Sequence, residues 1–213
     1  MTIYIIITII AYLIGSINFS VIISRKMAGF DVREKGSGNA GSTNVLRSVG
    51  KKAAALTLLC DILKGIVAII FAVICGNIVK ESNSAILVQC ASIAVIIGHT
   101  YPIFFEFKGG KGVATSLGVL LITNWQIGLI CLVFALILMI FTQMVSVGSV
   151  TAAILLPVLT IFAIGTEHYI VPGNYILFSI IMAVIVLFNH RSNIKRILEG
   201  KENKISFKKS VEK

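Results

Sequence analysis

Charge is what this sequence has least of: 13% of its 213 residues are charged, and only nine of them are Asp or Glu. A domain that faces water on all sides needs roughly 25% charged residues, so a cytosolic enzyme, a secreted scaffold and a disordered chain are excluded. Cysteine is sparse too. Cys60, Cys75, Cys90 and Cys131 sit in apolar runs without CxxC spacing, which argues against a metal site or a disulfide framework and makes them small core hydrophobes. The apolar run Ile3 to Ile23 lacks a basic leader and a small-residue cleavage site, so it reads as a retained helix rather than a signal peptide. No repeat of 20 to 50 residues is present, and no soluble domain can be cut out.

What is abundant is apolar surface: 57% of residues are hydrophobic and the mean hydropathy is +0.97. The expected fold is an all-α polytopic membrane protein, a single domain over 1–213 with a basic cytoplasmic tail at 203–213. Apolar stretches run over 3–23, 53–75, 85–103, 113–141, 144–164 and 175–188. The fourth, at 29 residues, exceeds the roughly 20 needed for one crossing, and Asn124-Trp125-Gln126 interrupts it with polar, interface-seeking side chains. A helical hairpin there makes seven crossings, and then 17 of the 19 Lys and Arg fall on one side of the membrane. With six crossings the basic tail would lie outside, against the positive-inside rule, so seven crossings with an external N-terminus and a cytoplasmic C-terminus are expected. The formal charge of +10 points to anionic headgroups and phosphorylated substrates, not nucleic acid.

Three polar clusters interrupt the apolar chain. Gly36-Ser37-Gly38-Asn39-Ala40-Gly41-Ser42-Thr43-Asn44-Val45-Leu46-Arg47 combines glycines that let backbone N–H groups face one concavity with neutral donors and an arginine fork that suits phosphate. A flexible interhelical loop is the alternative, although it has no need of two Asn, a Thr and an Arg. The second cluster is Gly98-His99, Tyr101-Pro102 and Lys108-Gly109-Gly110-Lys111-Gly112-Val113-Ala114-Thr115. Its glycines precede an apolar helix, a place where free N–H groups and the helix dipole favour an anion, unless Lys108 and Lys111 only mark topology. A Walker loop is excluded because Val113 follows Lys111-Gly112. The third is Asn189-His190-Arg191-Ser192-Asn193-Ile194-Lys195-Arg196, where a snorkelling anchor explains the cations but not Asn189, His190 and Asn193. Within the apolar runs, Asp61 and Lys64 share a helical face and can neutralise each other, as a structural pair or a substrate contact. Ser146 and Ser149 share another face, where hydroxyls commonly bond helix to helix.

In this order, the motifs GSGNAGSTNVLR, GH-x-YP-x5-KGGKGVAT and NHRSNIKRILEGKE, with Asp61-x-x-Lys64-Gly65, resemble the bacterial acyl-phosphate:glycerol-3-phosphate acyltransferase family over residues 4 to 202. Asn18 and Ala40 stand where that family carries proline, and Gln143-Met144 where it carries Arg-Tyr. The resemblance implies transfer of a fatty acyl group from acyl-phosphate to glycerol 3-phosphate in the bacterial cytoplasmic membrane, with the site facing the cytoplasm. The partners implied are the two substrates, membrane lipids and a soluble acyl-phosphate-forming enzyme, with no cofactor and no metal. Ser37, Arg47, Lys111 and His190 are the expected catalytic residues. Gly36, Gly38, Asn39, Gly41, Thr43, Asn44, His99, Lys108, Gly109, Gly110, Gly112, Thr115, Ser146, Asn189, Arg191 and Asn193 are the expected substrate-binding residues. The His-Asp signature of soluble-type glycerolipid acyltransferases is missing, since Phe104, Gly173 and Lys195 stand five residues after the histidines. With no carboxylate near His99 or His190 in sequence, a substrate phosphate oxygen is expected to take the acceptor proton. An organic-phosphate transporter is the competing class, although no inverted repeat supports it. A metal-dependent alcohol phosphotransferase would need more aspartates than Asp31 and Asp61.

Overall fold

A computed structural model describes residues 1–163 and 175–205, and every regular element among them is helical. The chain divides into two compact units, Met1–Gln126 and Ile127–Lys213. The expectations placed on Glu167 outside the cell and on the basic tail with Lys208 and Lys209 lie outside the described residues.

In the first unit, α1 (Thr2–Gly15) and α2 (Phe19–Ala28) form one apolar length broken at 16–18. The break has a local cause. Ser16 ends α1 by donating its backbone N–H to the Tyr12 and Leu13 carbonyls, and the Asn18 side chain accepts the Val21 N–H to start α2. Asn18 thus works as an N-cap, a task asparagine does well. After a 3-10 turn at Val32–Glu34 come α3 (Ser42–Ser48), α4 (Lys51–Ile78), α5 (Ser84–Thr100) and α6 (Val113–Thr123). Glycine lets these helices approach until backbone meets backbone. A Cβ on Gly15 or Gly98 would strike the Val95 or Tyr12 carbonyl across α1 and α5, and one on Gly65 or Gly118 would strike Thr115 or Ile62 across α4 and α6. Lipid gives no hydrophobic reward for helix pairing, so close small-residue packing is how such helices gain contact.

The second unit holds α7 from Ile127 onward (the helix begins at Trp125 and ends at Thr142), α8 (Val145–Ala163), α9 (Tyr175–Asn189) and α10 (Arg191–Leu198). Gly148 of α8 packs against the Ala135 carbonyl of α7, and α8 packs along α9. Beyond α10 the chain returns to the α7–α8 turn, where the Ile205 N–H donates to the Gln143 carbonyl at 2.7 Å.

Five of the described helical lengths are long and apolar enough to cross a membrane, and α9 with α10, bent by 63°, makes a sixth. The 113–141 stretch is two helices parted at Asn124 (φ −160°, ψ 81°). The first, α6, has 11 residues and rises only about 16 Å, half of a ~30 Å hydrocarbon core. Full-length crossings therefore number five or six among the described residues, short of the seven expected.

Candidate active site

The first glycine loop is built on Asp31. Its carboxylate pairs with Arg25 and Arg33, each at 2.8 Å. Burial pushes this carboxyl up, but the hydrogen bonds and charge of Arg33 outweigh it and hold it below the usual carboxylate range. Arg33 also donates to the Phe105 carbonyl at 2.8 Å, tying the loop to the chain beyond α5. Within the loop, Gly36 and Gly38 take φ of 60° and 71°, which a side chain would resist. Asn44, fully buried at 1% exposure, donates to the Val32 and Lys35 carbonyls and accepts the Ser37 N–H at 2.9 Å. Its amide is committed to loop shape. The Ser37 and Gly38 N–H groups are likewise taken inside the loop, by Asn44 and by the Lys35 carbonyl. Among the side chains of this segment, those of Ser37 and Arg47 are exposed while Asn39 and Thr43 are half-buried.

The second loop folds back on the end of α5. Gly109 and Gly110 donate their N–H groups to the Thr100 and His99 carbonyls, each at 3.1 Å, so these two backbone donors are occupied. A Cβ on Gly110 would run into the His99 ring and the Ala40 carbonyl. That contact brings the two glycine loops together, a meeting of residues 70 apart. Gly112, at φ 90°, opens α6. Lys111 is half-buried at the loop's end, while Lys108 is exposed and pairs with Glu106 at 3.2 Å. Thr115 has no exposure at all. It lies in the α4–α6 contact, facing Gly65.

Beneath the loops the expected Asp61–Lys64 pair is present at 3.0 Å. What spacing could not reveal is that Asp61 also faces His99 Nδ1 at 3.4 Å. The expectation that no carboxylate orients His99 is therefore corrected: the partner comes from α4, 38 residues away in the chain.

The second unit gathers the third cluster. His190 is buried with Nδ1 2.8 Å from the Val186 carbonyl. Asn193 and Arg196 of α10 donate to the two oxygens of Glu202, at 2.8 and 2.9 Å, and Ser146 of α8 faces the same carboxylate. Burial raises the Glu202 carboxyl, but Asn193, Ser146 and Arg196 together hold it below the ordinary range. Asn193 and Ser146, expected as substrate ligands, thus face Glu202, the last residue of the NHRSNIKRILEGKE motif, for which no role was expected. Arg191 stacks on Phe188, its guanidinium 4.5 Å from the ring centroid, and Asn189 is half-buried. Among the described residues no three His, Cys, Asp or Glu side chains gather as a metal set.

The family model for glycerol-3-phosphate acyltransferase matches residues 5–200. A glycerol-3-phosphate acyltransferase of Clostridioides difficile is 42% identical over 206 residues, which cover 97% of each chain. One from Neisseria meningitidis serogroup C is 43% identical over 196 residues, covering 92% of this chain and 94% of its own. Among solved structures, the glycerol 3-phosphate form of PlsY (YgiH), an integral membrane glycerol 3-phosphate acyltransferase, superposes with a TM-score of 0.84 at 35% identity over 95% of this chain and 96% of that one. Its lysophosphatidic acid form gives 0.81 at 33% identity, over 95% of each chain.

Proposed function

The chain belongs to the glycerol-3-phosphate acyltransferase family, and we propose that it moves a fatty acyl group from acyl-phosphate to a hydroxyl of glycerol 3-phosphate, yielding lysophosphatidate and inorganic phosphate. It is a multi-pass membrane enzyme and not an organic-phosphate carrier, since its relatives and the solved structures are acyltransferases. The observation that carries the site is the meeting of the two glycine loops at Gly110, which brings the segment bearing Ser37 and the segment bearing Lys111 together in one unit.

Acyl-phosphate is already activated, so the site has to orient the acceptor hydroxyl, exclude water and stabilise charge on the carbonyl and the departing phosphate. Arg47 and Lys111 take substrate phosphate oxygens, the first through its planar fork and the second as a point charge. Ser37 donates a hydrogen bond from an exposed loop position. Lys108 adds a second cation to the loop that bears Lys111, and in the second unit Asn189, His190 and Arg191 form a polar set of their own. The acceptor oxygen attacks the acyl carbon as the bond to phosphate breaks, and the hydroxyl proton passes to a phosphate oxygen, directly and within a ternary complex. Both units serve this one domain. The chain crosses the bacterial cytoplasmic membrane seven times, with α6 as a short crossing, an external N-terminus and the site toward the cytoplasm. A soluble enzyme that forms acyl-phosphate is the expected supplier.

Purified protein with labelled glycerol 3-phosphate should make lysophosphatidate from acyl-phosphate and not from acyl-CoA, with intersecting initial-rate lines that a chelator leaves unchanged. Parallel lines, or an acylated Ser37 peptide trapped without acceptor, would establish a serine intermediate instead. In intact cells a cysteine at position 80 should label from outside and one at 190 should not; the reverse pattern defeats the orientation.

A further inference from the structure

We propose that Asp61, Lys64 and His99 form a buried positioning triad that sets the second glycine loop, and Lys111 with it, at the height where a substrate phosphate is held; this rests on the reading that the loop binds phosphate. The three side chains are almost sealed, Asp61 and Lys64 at 2% and 4% exposure and His99 at 5%. They form one line of contacts through the first unit. Lys64 Nζ donates to the Ile17 carbonyl, left without a helical partner by the break between α1 and α2, at 2.9 Å. The same ammonium lies 5.8 Å from the Phe19 ring centroid and 3.0 Å from Asp61 Oδ1. That oxygen faces His99 Nδ1 at 3.4 Å, and the His99 carbonyl accepts the Gly110 N–H at 3.1 Å. On the far side of the ring, Nε2 lies where a Cβ of Gly110 would have to be.

Two features separate this from a general base and from a simple fold prop. A base must reach the proton it removes, but one ring nitrogen of His99 faces Asp61 and the other is packed against the backbone of Gly110. The imidazole is a spacer between a carboxylate and a loop. A buried ion pair is also a poor way to gain stability, since apolar residues of equal volume often serve as well or better. Here the pair stands where the broken first span, α4, α5 and the glycine loop converge, and it transmits the position of α4 to the loop through the ring.

The test is steady-state kinetics on the full-length protein in detergent, with acyl-phosphate and glycerol 3-phosphate, for wild type, His99→Asn, Asp61→Asn, the double variant and Lys111→Ala, with thermal unfolding of each. His99→Asn and Asp61→Asn should each raise KM for a phosphorylated substrate about tenfold, lower kcat no more than about threefold and keep the shape of the pH–rate profile. The double variant should be no worse than the poorer single one, within about twofold, because both act through the same loop. A kcat loss of about 100-fold at unchanged KM, with a limb of the pH profile gone, would make His99 the base and overturn the proposal. Wild-type KM in a folded His99→Asn protein would overturn it as well. If Asp61→Asn does not fold, His99→Asn is compared with His99→Phe: the amide keeps a donor for Asp61 and should raise KM less, whereas equal KM values refute the triad. Wild type making no lysophosphatidate overturns the functional reading, and wild-type KM in Lys111→Ala overturns the loop reading; each is recognisable without the His99 variants and each takes the triad with it.

Discussion

Asp61 in the middle of α4 and Glu202 just beyond α10 are both buried carboxylates, one in each unit, and they are compensated differently. Asp61 stands against a full ammonium one helical turn away and a ring from another helix. Glu202 receives one arginine and one neutral amide donor, both from α10. The first is an intrahelical pair that a neighbouring helix has recruited, and the second is a clasp made only when the end of the chain returns. The contrast teaches that a charge deep in a span is met by a charge on its own helix, whereas one near an aqueous edge is met by a charge and an amide that only the return of the chain brings to it.

Substitutions can break this contrast, and the largest effect should come from Lys64→Met. It leaves Asp61 buried without its ammonium and should destabilise by about 3–5 kcal/mol, much of it recovered by adding Asp61→Asn; thermal unfolding of the single and double variants checks this. Equal stability of Lys64→Met and wild type would show that Asp61 is satisfied by His99 alone. Arg47→Ala should lower kcat/KM by about 100-fold, with Arg47→Lys recovering only part because a point charge replaces a fork. Full activity in Arg47→Ala would reduce it to a topology marker. Glu202→Gln should cost about 1–2 kcal/mol, since it loses the charge-assisted bond to Arg196 but keeps a carbonyl for Asn193. Because the Glu202 carboxyl is held below its ordinary value of 4.5, its contribution is present above that pH and is lost as pH falls through the folded value. Acidification below about pH 4.5 should therefore weaken wild type relative to Glu202→Gln, as hydrogen exchange in α10 would report; parallel pH curves would mean the clasp carries no net stability. The smallest effect belongs to Gln143→Arg, because Ile205 is held by the backbone carbonyl of Gln143; a change beyond about 0.5 kcal/mol would show that the side chain matters.

The sequence by itself determined the membrane class, the apolar lengths, the interruption at Asn124 and the Asp61–Lys64 pair, because each follows from local composition or from helical spacing of three and four. Its motifs also carried the family. Only the tertiary structure decided that Asn44 shapes its loop, that the Gly38, Gly109 and Gly110 N–H groups are already used, and that Asp61 reaches His99. It also joined Ala40 to Gly110 and hung Asn193 and Arg196 on Glu202. Each of these depends on where helices lie when their glycines let backbones touch, and on which donors are used up once they do. Helical periodicity is written into neighbouring residues, whereas the occupancy of a hydrogen-bonding group is known only when every group within about 3 Å of it has been placed.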